Sequence, residues 1–312
     1  MPKIALYLAL LALGLAAPFL VYPVFAMNVL CFALFATAFD LLLGYTGLLS
    51  FGHAAFFGGA AYVTGHVVSD LHWPTELGIL AGVAVATGLG YVVGALAIRR
   101  SGIYFSMITL GFAQLIYFVC VQLPWTGGEN GMQGIPRGKL LGMVPLDRPL
   151  PMYYFVLAVF IGGYWIANRA IHSPFGHILR SIRENEQRTL SLGYDVDRYK
   201  LLAFVLSAGL SGLAGSLKAL VFQLASLTDV HWHMSGEVVL MTLLGGMGAL
   251  LGPSVGALVV VTLANYLGEF GSWVTVITGG VFVVCVMTFR RGIVGELWHR
   301  LAPFAQKPSS RG

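Results

Sequence analysis

The sequence predicts an all-α polytopic membrane protein of about ten transmembrane segments, and three observations predict it. Of 312 residues, 57% are hydrophobic and 10% charged, whereas a soluble domain carries roughly 25% charged residues. The apolar residues gather into runs approaching the length of about 20 that a spanning helix needs. The charges collect in a few connecting stretches, above all between residues 169 and 200.

Ten candidate segments follow in order. The first, 4–22 after Lys3, begins like a secretory signal but outruns a usual signal core and leads straight into more apolar sequence, so an uncleaved helix is expected. The second, 24–43, carries Asn28 and, near its inner end, Asp40. The third, 50–69, overlaps GYTGLLSFGHAAFFGG from Gly44 to Gly59. The fourth, 78–98, places Gly78, Gly82, Ala86, Gly90 and Gly94 at four-residue spacing, a smooth face that lets a second helix approach closely. The fifth, 103–122, holds Gln114. The sixth is 152–168. The seventh, 201–224, repeats the small-residue device with Ser207, Ser211 and Gly215. The eighth, ninth and tenth are 237–250, 251–268 and 272–289, and LLGGMGALLGPSVG from Leu243 to Gly256 straddles the first two of these.

Charge sets the expected orientation. With both termini cytoplasmic, fourteen of the eighteen lysines and arginines fall on the inner side. The others are Arg137, Lys139 and Arg148 in an outer loop, 123–151, and Lys218, placed near the outer end of its helix with room to snorkel. The net charge of +5 reads as anchoring to anionic lipid, and nothing resembles a basic, aromatic nucleic-acid-binding domain. Trp73, Trp125, Trp165, Trp232, Trp273 and Trp298 all lie near expected segment ends, where interfacial tryptophans belong. Cys31, Cys120 and Cys285 occur singly in apolar sequence, which suggests neither disulfide nor metal site.

The charged stretch from Ser173 to Lys200 predicts one short helix, N-capped at Ser173, opened by Pro174 and stopped at Gly193. Arg180 with Glu184, and Glu184 with Arg188, stand at i,i+4. Phe175, Ile178, Leu179 and Ile182 form its oily face, a handle for a soluble partner or, on the plainer reading, part of a solvated connector.

The two glycine-crowded regions occupy corresponding places in a five-plus-five division into inverted halves, 1–122 and 152–289, and such paired breaks point to a solute path. Candidate path residues are Asn28, Tyr45, Thr46, His53 and Gln114. For His53 a direct role competes with simple hydrogen bonding to backbone, and for Asn28 and Gln114 with helix-to-helix contacts. No catalytic motif appears, and Lys139 after Gly134 and Gly138 does not make a phosphate-binding loop, so no enzyme and no bound cofactor are expected in this chain. Asp40 and Glu269 are expected to reach an interface. The lack of buried paired charges argues against an ion-driven carrier.

Several stretches resemble one family, the permease subunits of branched-chain amino acid ABC importers, and within it the LivM-type subunit. They are GYTGLLSFGHAAFFG from Gly44, GIYFSMITLGFAQ from Gly102, TGGENGMQGIP from Thr126, the whole of Ser173 to Phe204, and VVLMTLLGGMGALLGP from Val238. The resemblance implies a bacterial inner-membrane protein paired with a LivH-type permease, two cytoplasmic ATPases that bind ATP and magnesium, and a periplasmic or extracellular substrate-binding protein. It implies ATPase coupling through 169–200, with Arg180, Arg183, Glu184, Asn185, Glu186 and Arg188 at the contact. Binding-protein docking falls on the outer loop, at Glu129, Asn130, Arg137, Lys139 and Asp147. The solute expected is a branched-chain or related hydrophobic amino acid; urea, short amides and other amino acids remain open alternatives.

Overall fold

A computed structural model describes residues 2–140, 142, 144–268, 273–288 and 292–301. The chain is an all-α polytopic membrane protein, and each of the ten expected segments falls on one helix. These are α1 (Pro2–Leu20), α2 (Pro23–Thr46), α3 (His53–Ser69), α4 (Thr75–Ala97), α5 (Ile103–Gln122), α6 (Pro149–Ile171), α9 (Val196–Phe222), α11 (Trp232–Gly245), α12 (Gly252–Leu267) and α13 (Trp273–Thr288). Between and after them lie α7 (Pro174–Glu184), α8 (Glu186–Ser191), the single turn α10 (Leu227–Val230) and α14 (Gly292–Leu301). Glu269, Arg290, Arg291 and the tail from residue 302 onward lie outside the described residues.

Helices α2, α4, α5, α6 and α9 run 20–27 residues and are apolar enough to cross a bilayer. By contrast α11 has 14 residues, about 21 Å at 1.5 Å per residue, which falls short of a hydrocarbon core of about 30 Å. The glycines predicted to spoil plain spans do so by ending helices: α2 stops at Thr46 and α3 starts at His53, while α11 stops at Gly245 and α12 starts at Gly252.

The core is built on α2 and α9, which pack on each other. The α3–α4 pair packs on α9, and the α11–α12 pair packs on α2. The glycine stripe of α4 is used inside the chain: added methyl groups at Gly82, Gly90 and Gly94 would meet Ser216, Ala208 and Phe204, and one at Gly212 would meet Ala86. Gly82, Ala86 and Gly90 thus face small residues of α9 in antiparallel register, Gly94 faces Phe204, and Gly78 faces Val68 of α3, so the backbones approach as small-residue interfaces allow. At Gly215 the approach is to the backbone carbonyl of Phe57, so no larger residue fits there.

One end of the bundle carries α7 and α8. The opposite end carries α10 and residues 123–148, where two small antiparallel pairings occur: β1 (Met132–Gln133) with β4 (Leu224–Ala225), and β2 (Lys139–Leu140) with β3 (Val144–Pro145). We refer to these as the α7 end and the hairpin end.

Candidate functional site

The α7 end gathers three segments distant in sequence. Gly248, in the turn between α11 and α12, has φ of +75°, a conformation natural to glycine. Its N–H donates to both carboxylate oxygens of Asp40, at 2.9 and 3.2 Å, and its carbonyl accepts from the Tyr45 hydroxyl at 3.0 Å. Asp40 is therefore buried, 1% exposed, and does not reach an interface as its position near the helix end suggested. The second glycine break leaves backbone groups with no helical partner, and α2 supplies the donor and acceptor they need.

Helix α7 grips the same place from outside. Arg183 Nη1 donates to the carbonyl of Gly44, and the Arg180 guanidinium stands 5.1 Å from the Tyr45 ring centre. The oily face predicted for this helix is turned inward: Leu179 and Ile182 are buried, with Phe175 and Ile178 packed against the same cluster. A chain segment that might have been a free handle is thereby fixed to α2, α6 and α9.

The expected single helix is two. Asn185 adopts an extended conformation, φ −158° and ψ 99°, and its side chain accepts from the Arg188 N–H, capping α8. The Glu184–Arg188 pairing loses its helical spacing at this break. Pro174 opens α7 as predicted, but the Ser173 hydroxyl turns back to donate to Ala170 O at 2.7 Å instead of capping forward. Glu186 binds Lys200 Nζ at 2.6 Å. All six predicted coupling residues are exposed; Arg180, Arg183, Asn185 and Glu186 nonetheless contact their own chain through side-chain atoms. Three apolar residues that charge-based reading passed over, Leu190, Leu192 and Tyr194, stand beside them at 58%, 70% and 41% exposure.

The first break, residues 47–52, is satisfied differently. Thr109 Oγ1 accepts from Phe51 N–H at 3.1 Å, Ser106 donates to Leu49 O at 2.6 Å, and Ser235 accepts from Ala54 N–H at 2.9 Å. Neutral hydroxyls from α5 and α11 do here what a carboxylate does at Gly248. His53 opens α3 fully buried, its Nε2 2.8 Å from Ser207 Oγ and its ring edge-on to Phe39, Phe56 and Phe204. Ser207 donates its only proton to Ala38 O, so the histidine Nε2 is the donor to Ser207. The geometry is that of a packed, hydrogen-bonded core histidine.

The remaining path candidates are dispersed. Thr46 is buried and bonds back to Leu42 O, and Gln114 is half-buried on α5. Asn28 lies 18 residues before Thr46 on the same helix, about 27 Å away. It borders a cavity of about 270 Å³ with Glu237 and Asn265.

At the hairpin end Arg137 donates to Leu220 O at 3.1 Å and Val221 O at 2.7 Å. A cation on the last carbonyls of α9 is a favourable end cap, so this residue holds the outer loop to the bundle. Glu129, Asn130, Lys139 and Asp147 are exposed. Lys218 does not snorkel: it is ion-paired to Asp229, with side-chain exposures of 16% and 4%, beneath the rings of Phe32, Phe57 and Phe222. The expectation of no buried paired charge is corrected by this pair. Sequence reading missed it because the left-handed turn at Gln223, φ of 55°, is what folds Asp229 back onto α9.

Residues 24–287 match the family described as branched-chain amino acid transport system / permease component. The high-affinity branched-chain amino acid transport system permease protein LivM of Salmonella typhimurium is 27% identical over 316 residues, covering 92% of this chain and 74% of LivM. LivM of Escherichia coli is also 27% identical, with coverage of 92% and 73%. The ribose import permease protein RbsC of Bacillus subtilis is 32% identical over 179 residues, covering 54% of this chain and 52% of RbsC. No solved structure matches the chain.

Proposed function

Since the chain belongs to the family of branched-chain amino acid transport system permease components, we propose that it is the LivM-type membrane subunit of an ATP-driven importer for branched-chain or related hydrophobic amino acids. It pairs with a second permease of the LivH type, takes solute from a periplasmic or extracellular binding protein, and is driven by two cytoplasmic ATPases that hold ATP and magnesium. The α7 end faces the cytoplasm of a bacterial inner membrane, and the hairpin end faces outward. The exchange of packing between halves, with α3–α4 on α9 and α11–α12 on α2, supports the inverted repeat.

The observation that carries this reading is the grip of α7 on the C-terminal end of α2, through Arg183 to Gly44, where Asp40 and Tyr45 of α2 in turn hold Gly248 in the second glycine break. A force applied to the exposed α8 tip, at Leu190, Leu192 and Tyr194, travels along α7 into the turn that joins the two short helices α11 and α12. Moving that turn reorients the α11–α12 pair against α2, a rigid-body switch between outward and inward states. The chain supplies the gate, and the ATPases supply the energy.

The test is ATP-driven uptake of leucine by the reconstituted complex. Arg183→Glu is expected to leave insertion intact and to lower uptake about tenfold while ATP hydrolysis persists, the scale of one lost charged hydrogen bond. Unaltered uptake at normal expression overturns the coupling role. The likeness to RbsC favours a second reading, import of a sugar, and ribose uptake by the same complex decides for it. Gradient-driven uptake by the chain alone would replace both with a secondary carrier.

A further inference from the structure

We infer that the cavity between α2, α11 and α12 is a solute subsite that binds the cationic ammonium group of a zwitterionic amino acid. The inference rests on the permease reading above and narrows its substrate class. Asn28, Phe32, Glu237, Met241, Val260 and Asn265 line the cavity, whose volume is about 270 Å³. Sites for drug-sized ligands run ~300–1,000 Å³, so this one suits a single small solute.

The cavity holds acceptors that no cation pairs with directly, although Lys218 and His233 lie near enough to act on Glu237. Asn28 Oδ1 is buried and has no hydrogen-bond partner among the described residues. Glu237 and Asn265 are exposed on the isolated chain, at the cavity's rim, and Glu237 makes no ion pair among the described residues. The neighbouring cation, Lys218, is committed to Asp229 and three aromatic faces. A carboxylate on a membrane helix, even near its end, gains from a cationic partner. An incoming ammonium supplies that partner through charge-assisted hydrogen bonds, which are roughly twice as strong as neutral ones. Asn28 and Asn265 each add an amide carbonyl as acceptor and an amide N–H₂ that serves the solute carboxylate. Phe32, Met241 and Val260 offer an apolar wall to an aliphatic side chain. A neutral sugar makes no use of the charge on Glu237.

Position agrees with this role. Asn28 lies five residues after the start of α2, Glu237 five after the start of α11, and Asn265 two before the end of α12. All three stand just inside the hairpin end, where an arriving solute first leaves water.

The test uses the reconstituted complex with radiolabelled leucine and ribose. Glu237→Gln is expected to raise the half-saturating leucine concentration at least about tenfold, the loss of one charged hydrogen bond, and Glu237→Asp to recover part of it. In parallel, Asn265→Cys is treated with a thiol reagent, and leucine is expected to slow its labelling where ribose does not. Wild-type leucine kinetics in a well-folded Glu237→Gln complex overturn the subsite and leave the importer reading standing. Failure of the unmodified complex to move leucine on ATP overturns the importer reading. Should Glu237→Gln not fold, or the unmodified complex move no leucine, the labelling decides: equal labelling with leucine and with ribose overturns the subsite.

Discussion

At the hairpin end, half-buried Lys218 and buried Asp229 meet across 11 residues of chain; at the α7 end, buried Asp40 reaches Gly248 across 208. The first contact joins a helix to the turn that follows it and fixes local shape. The second joins segments remote in sequence, and its partner is the backbone of the turn between α11 and α12. The hairpin-end contact is therefore a local rivet, while the α7-end contact ties remote segments together, as the proposed coupling requires.

Three substitutions test that contrast, beginning with the largest expected effect. Asp229→Ala leaves half-buried Lys218 without its anion and is expected to cost about 3 kcal/mol, read as a lowered melting temperature in detergent. In whatever protein remains folded, the number of ATP molecules hydrolysed per solute moved should stay as in the unaltered chain; a changed ratio would make the hairpin end part of the linkage. Asp40→Ala leaves the Gly248 N–H without its carboxyl acceptor and is expected to cost about 1–2 kcal/mol, a smaller loss of stability. Here the ratio should rise, because hydrolysis continues while the α11–α12 turn no longer follows α2. Stability lost with an unchanged ratio would reduce Asp40 to a second rivet. Ser106→Ala, at the first glycine break, removes a neutral hydroxyl from Leu49 O and is expected to cost about 1 kcal/mol. The ratio should not move, which separates the hydroxyl-stitched break from the one that α7 grips.

The sequence made the helices legible because hydrophobic length and glycine spacing are local signals. All ten segments were placed from them, and the stripe at Gly78, Gly82, Ala86, Gly90 and Gly94 announced close packing of α4, though not that Gly78 meets α3 while the rest meet α9. The apolar face of α7 was also legible, but which surface it covers was not, since a helix alone does not say whether its neighbour is a partner or its own chain. The interruption at Asn185 had a readable cue, an asparagine followed by Glu186 in the first turn of a new helix, and was obscured by the apparent i,i+4 pairing across it. Lys218 with Asp229, and Asp40 with Gly248, lay beyond reach because each depends on a turn in the left-handed region, at Gln223 and at Gly248, that brings remote residues together. His53 attracted attention as a titratable group in an apolar setting; its ring of phenylalanines and its bond to Ser207 are tertiary facts.

The antiparallel seam between α4 and α9 constrains how any gate here operates. With Gly82 against Ser216, Ala86 against Gly212, Gly90 against Ala208 and Gly94 against Phe204, bumps and hollows repeat every four residues. A slip of one or two residues would drive side chains into backbone, as cogs resist a fraction of a tooth. The pair must then travel as a single plank, and whatever bending import requires falls to its joints, at 97–102 and 222–226.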